Sequence, residues 1–160
     1  MNDVEPIRRS VTVRCSPERA FRVFTDQMSA WWPLETHGRA ADQFADEGVK
    51  AERLEVQGRI GGQIIEHMSN GVSLPWGEFL AWEPPTRLVL AWKPHSRPVA
   101  PTEVEVRFLP DGDGTRVELE HRGWERVGAE AAEVHEAYGS QQGWVTTLNV
   151  FAAAIERKVA

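Results

Sequence analysis

Hydrophobic and polar residues alternate most clearly in two neighbouring stretches of the chain. In residues 102–109, Val104, Val106 and Phe108 fall on one side and Glu103, Glu105 and Arg107 on the other. Residues 115–122 repeat the pattern, with Val117, Leu119 and His121 opposite Arg116, Glu118 and Glu120. A two-residue period belongs to half-buried strands, and Asp111-Gly-Asp-Gly114 between them is turn chemistry, so the pair predicts a hairpin. Residues 7–15 alternate too, placing Ile7, Val11, Val13 and Cys15 against Arg8, Ser10, Thr12 and Arg14. Residues 49–56, 63–68, 76–83 and 87–93 read as further strands. The breaks between them are the glycine turn Gly58-Arg-Ile-Gly61-Gly62, the hairpin signal Asn70-Gly71 and the Pro84-Pro85 pair. Residues 95–101 read as a loop, because Pro98 and Pro101 fall within it and Pro94 directly precedes it.

The period changes in three places. Ser16-Pro17-Glu18-Arg19 reads as an N-cap followed by a charged first turn, and Ala20, Phe21, Val23 and Phe24 supply the apolar stripe of a short helix. A second short helical piece holds Met28, Trp31 and Trp32 before Pro33 stops it. Residues 143–159 carry Trp144, Leu148, Phe151 and Ile155 at helical spacing, the signature of a long amphipathic helix. Residues 34–48 are irregular and read as a mobile loop. Residues 125–136, with Glu130, Glu133 and Glu136, read as a solvated helical turn or loop. The order is strand, two short helices, about six more strands and one long helix, an α+β arrangement in a single domain spanning residues 1–160.

Charge narrows the partners. The 24 acidic and 18 basic residues give a formal charge of -6, which repels nucleic acid and anionic lipid unless a basic patch intervenes. The densest cationic spots, Arg8-Arg9 and Arg157-Lys158, are isolated pairs. Neither nucleic acid nor a membrane is expected as a partner. Cys15 is the single cysteine, so no intrachain disulfide can form, and a reducing, cytoplasmic setting is expected. No run has the length of a signal peptide or a membrane span.

The candidate chemistry is aromatic. Seven tryptophans are many for 160 residues, and a sheet wrapped on one helix closes incompletely. Trp32, Trp82, Trp92 and Trp144, with Leu148, are therefore expected to line an apolar internal cavity, while packing in the core accounts for others. His121 shares its face with Val117 and Leu119 and points inward. It is either a satisfied core histidine or the polar anchor that orients a ligand. Glu66-His67 and Glu120-His121 are excluded as catalytic dyads, because neighbours on a strand face opposite sides. No metal motif, nucleophile elbow or phosphate loop occurs, so no cofactor, metal or catalytic residue is expected.

Taken in order, these motifs carry a resemblance. Residues 7–24, the Gly61-Gly62 turn, the run Gly77-Glu-Phe-Leu-Ala-Trp-Glu-Pro-Pro-Thr-Arg-Leu-Val-Leu-Ala-Trp92, the hairpin ending His121-Arg-Gly-Trp124 and the Gly143-Trp144 helix resemble homologues of the C-terminal domain of the heat-shock protein 90 ATPase activator. That family belongs to the START-like (SRPBCC) superfamily. The resemblance implies the helix-grip fold, a curved antiparallel sheet of about six to seven strands around the long C-terminal helix. It implies three functional classes. The first, expected here, is a binding module for a small apolar or amphipathic molecule in the cavity. The others are a co-chaperone-like interaction domain in the stress response and a cyclase-like or hydrolase-like enzyme, which would need convergent polar groups. A monomer and a homodimer are both compatible with the sequence.

Overall fold

In a computed structural model, residues 5–93, 101–128 and 131–156 are described. The sheet has seven antiparallel strands in the order β1-β7-β6-β5-β4-β3-β2. They are β1 (Ile7–Val13), β2 (Ala51–Val56), β3 (Gln63–Met68), β4 (Ser73–Glu83), β5 (Arg87–Trp92), β6 (Thr102–Asp111) and β7 (Gly114–Arg122). Each strand pairs with its neighbour in sequence, save that β1 pairs β7. The hairpin of β6 and β7 runs in unbroken register from Glu103↔Arg122 to Asp111↔Gly114. Val104, Val106, Phe108, Val117, Leu119 and His121 are buried on its inner face.

Helix α1 (Pro17–Thr25) starts where the sequence places it: the Ser16 hydroxyl accepts from the Arg19 N–H at 3.2 Å, and Pro17 fills a position whose N–H has no intrahelical acceptor. Its apolar stripe, Ala20, Phe21, Val23 and Phe24, is buried. Helix α2 (Met28–Trp31) follows. Residues 34–48 are not wholly irregular: they hold helix α3 (Arg39–Gln43) and a single turn of 3-10 helix, Ala45–Glu47. Residues 125–136 likewise contain more helix than expected. A 3-10 turn at Trp124–Arg126 precedes α4 (Ala131–Gly139), and Val127 and Ala131 are buried.

The closing helix α5 (Thr146–Glu156) buries Leu148, Phe151 and Ile155, packing on β1, α1 and α2. It starts later than the sequence pattern suggests. Trp144 lies instead in a wider helical turn, Gln141–Val145, with Gly143 at non-helical angles. Position 143 must be small, since a Cβ there would meet the Tyr138 carbonyl oxygen at 2.1 Å. The loop expected over residues 95–101 falls outside the described residues except for Pro101, and so does the Arg157-Lys158 pair.

Strand β4 departs from simple alternation. Register shifts occur between Ile64 and Ile65 of β3 opposite it and between Phe79 and Ala81 within it. Each extra residue turns the strand, so that Trp76 and Phe79 are fully buried and Trp82 half-buried at intervals of three rather than two.

Candidate functional site

Four tryptophans from different elements meet at one end of the core. Trp32 lies 5.1 Å from Trp76, 6.0 Å from Trp92 and 6.1 Å from Trp144, between ring centroids. Trp92 closes the group at 5.8 Å from Trp76 and 5.2 Å from Trp144. The contacts are edge-to-face or tilted, the arrangements that ring quadrupoles favour. All four are buried, as is Leu148 on α5. The site residues expected from the sequence thus come together with one exception. Trp82 packs on Phe21 and Phe79 and is linked to Trp32 through Phe21, Phe108, Phe24 and Trp31. It borders a separate cleft with Glu18, Arg22 and Pro84.

His121 organises the edge of this cluster. It is fully buried at the end of β7. The Trp144 indole N–H donates to its Nδ1 at 3.0 Å. An indole nitrogen can only donate, so Nδ1 accepts and the ring hydrogen sits on Nε2. Nε2 then donates to the Thr102 hydroxyl at 2.6 Å, and that hydroxyl donates to the Trp92 carbonyl at 3.3 Å. The backbone carbonyl of His121 accepts from the Trp124 indole at 2.9 Å. Burial, aided by His135, pushes the imidazole down to about 3, so it is neutral at physiological pH. Both ring nitrogens are thus engaged by protein groups, as a core histidine's would be.

Two further residues belong to the site and escaped the sequence reading. Tyr138 on α4 stacks near Trp144 at 5.9 Å, and its hydroxyl accepts from the Trp92 indole at 3.1 Å. Glu66 on β3 is completely buried. Its Oε1 accepts from the Trp76 indole at 2.8 Å and from the Arg39 N–H at 2.7 Å, and its Oε2 accepts from the Ala40 N–H at 2.8 Å. Three donors on two oxygens satisfy a buried carboxylate and tie the first turn of α3 to the sheet. Its signal was present: Glu66 shares strand parity with Ile64 and Met68, both buried.

Cys15 is half-buried, and burial raises its thiol above the ordinary value despite Arg19 and Arg22 nearby. That environment does not activate a thiolate. Among the described residues no group of three or more His, Cys, Asp or Glu is placed to hold a metal ion. No helix among them is long and apolar enough to cross a membrane.

A curved seven-stranded antiparallel sheet gripping the closing helix α5 is the helix-grip α+β fold. The model of the family described as Activator of Hsp90 ATPase homolog 1-like protein matches residues 14–156, and the chain belongs to that family. Solved structures agree. An anthrahydroquino-gamma-pyrone synthase, Txn09, complexed with SUM, is 33% identical, with a TM-score of 0.62 over 94% of this chain and 97% of that one. CalC from Micromonospora echinospora, a self-sacrificing resistance protein, is 29% identical, with a TM-score of 0.69 over 97% and 96%. An AHSA1-like protein from Aeromonas hydrophila has the same fold at 19% identity, with a TM-score of 0.63 over 96% and 94%. No curated protein matches the sequence.

Proposed function

We propose that the chain binds a small, largely apolar or amphipathic molecule with a flat aromatic portion, seated among Trp32, Trp92, Trp144, Tyr138 and Leu148. The observation that carries this reading is the convergence of four indoles and a phenol at one end of the core, with separations of 5.1 to 6.1 Å among the indoles. A planar guest enters by parting these rings, whose flat apolar faces then stack on it. The Trp92 indole and the Tyr138 hydroxyl, bonded to each other, are the polar pair that a guest engages by displacing one from the other. His121 acts behind them, holding Trp144 and Thr102 at the start of β6. Trp82 stands outside the site. The name of the 33% identical synthase denotes a fused-ring aromatic product, which supports a guest of that kind.

That same relative favours a second reading, an enzyme of the cyclase kind, with Glu66 and Tyr138 as the polar groups nearest the aromatic walls. The co-chaperone reading rests on the family description.

Titration with an anthraquinone sulfonate, followed by tryptophan emission, tests the proposal. Saturable quenching at one equivalent is expected. Trp92→Leu should weaken binding about tenfold, the equivalent of roughly 1.4 kcal/mol, and Trp82→Phe should leave it unchanged. Absence of saturation, or equal binding by the Trp92 variant, overturns the reading.

A further inference from the structure

The outer face of the sheet, turned away from the tryptophan cluster, carries a relay of three polar side chains from three adjacent strands. Ser73 opens β4 and is the register partner of His67 on β3. Opposed residues of an antiparallel pair project from one face. Arg53 on β2 is the partner of His67 on its other side, and Glu55 follows two residues later on the same face. His67 Nδ1 lies 2.7 Å from Ser73 Oγ, and its Nε2 lies 2.9 Å from Glu55 Oε1. The Gln57 amide donates to the other Glu55 oxygen at 3.1 Å. Bonds from Gln57 and His67 hold the Glu55 carboxyl below its ordinary range. A carboxylate only accepts, so Nε2 carries the ring hydrogen, and the bare Nδ1 accepts the hydroxyl hydrogen of Ser73. Ser73 is exposed and His67 partly so.

A serine hydrogen-bonded to a base whose tautomer a third group fixes is the arrangement that activates a nucleophile, recognised by geometry rather than by sequence order. The two ring nitrogens have exchanged roles relative to the serine protease triad, and the proton path from Oγ to the ring is unchanged. We propose that Ser73 is a nucleophilic serine that takes the acyl group of a small activated ester from solvent, with His67 as general base and Glu55 as its positioning residue. Ser73 Oγ attacks the ester carbonyl carbon while its proton passes to His67 Nδ1. The C–O bond to the leaving group then breaks, and the departing oxygen takes that proton and leaves as an alcohol.

The test is p-nitrophenyl acetate, read by nitrophenolate release and by mass analysis of digested protein. One acetyl group on the peptide containing Ser73 is expected. Ser73→Ala should abolish it, and His67→Ala should slow acetylation by about a hundredfold or more, the lower range for a lost general base. Glu55→Gln should lower the rate at saturating ester while leaving the half-saturating concentration unchanged. Ser73→Cys should keep acetylation at position 73 and its dependence on His67, which separates loss of the nucleophile from loss of the fold. Acetyl groups on lysines or other serines with Ser73 unmodified, or an unchanged rate in His67→Ala, would overturn the assignment.

Discussion

The indole nitrogen of Trp144 lies 3.0 Å from Nδ1 of His121, and this one bond fixes both the tautomer of the histidine and the seat of the turn that leads into α5. The two residues are buried together, Trp144 at 3% exposure and His121 at 0%.

Removing the indole and removing its hydrogen bond should therefore differ in degree. Trp144→Ala deletes a core aromatic and is expected to cost about 3 to 5 kcal/mol. Trp144→Phe keeps a ring and leaves Nδ1 as a buried acceptor without a donor, for a loss of about 1 to 3 kcal/mol. Urea melts of the two variants distinguish them. A loss near zero for the phenylalanine variant would mean that the bond contributes nothing to stability.

Acid should weaken the fold through His121 before it acts through the carboxylates. The native imidazole is held down to about 3 by burial, against an ordinary 6.5. The unfolded chain binds a proton below pH 6.5 that the native state refuses until about pH 3, so stability falls as pH drops through that window, by up to about 1.4 kcal/mol per pH unit. Glu105 acts in the same direction but lower. Burial alone would raise it, and hydrogen bonds from Arg87, Arg122 and Arg107 override this and hold it at about 2, against an ordinary 4.5. Its stabilisation is complete above pH 4.5 and is lost as pH falls towards 2. Between pH 6.5 and 4.5 the slope that His121→Gln removes therefore belongs to the histidine, and denaturant midpoints measured across that interval report it. Equal slopes in parent and variant would contradict the buried neutral state.

Gly77 admits no side chain. Its φ is 151°, and a Cβ there would fall 1.6 Å from the Ala91 carbonyl oxygen. Gly77→Ala should cost about 3 kcal/mol or more, combining backbone strain with separation of β4 from β5. A thermal melt of the variant within a few degrees of the parent would show that the strands yield freely at this point.

The sheet was legible in the chain because most of its strands are half-buried and alternate. Val104 to Phe108 and Val117 to His121 announce their inner face by parity alone, and the structure buries them as that parity requires. The placing of Trp82 was not legible. Trp82 pairs with Leu88 at the Pro84-Pro85 end of β5, whereas Trp92 ends that strand beside Thr102, four residues or about 13 Å further on. Bulges at Trp76 and Leu80 add residues that strict alternation cannot anticipate. Glu66 was legible only in part: its parity with Ile64 and Met68 turns it inward, but its partners come from the backbone of α3, which no side-chain pattern marks. The Ser73, His67 and Glu55 relay was invisible because register, not spacing, brings three strands together.

The carboxylate of Glu66 makes the motions of two regions one event. A five-residue helix such as α3 would by itself open and close rapidly, leaving its first amides to trade hydrogen with solvent almost as in a free peptide. Here the Arg39 and Ala40 amides point into an acceptor fixed on β3 and shared with the Trp76 indole of β4. For those two protons to exchange, either α3 must leave a buried charge with one donor or the β3 and β4 hairpin must open with it. Both routes are uphill, so Arg39 and Ala40 should exchange on the slow timescale of the sheet interior rather than that of the segment they belong to.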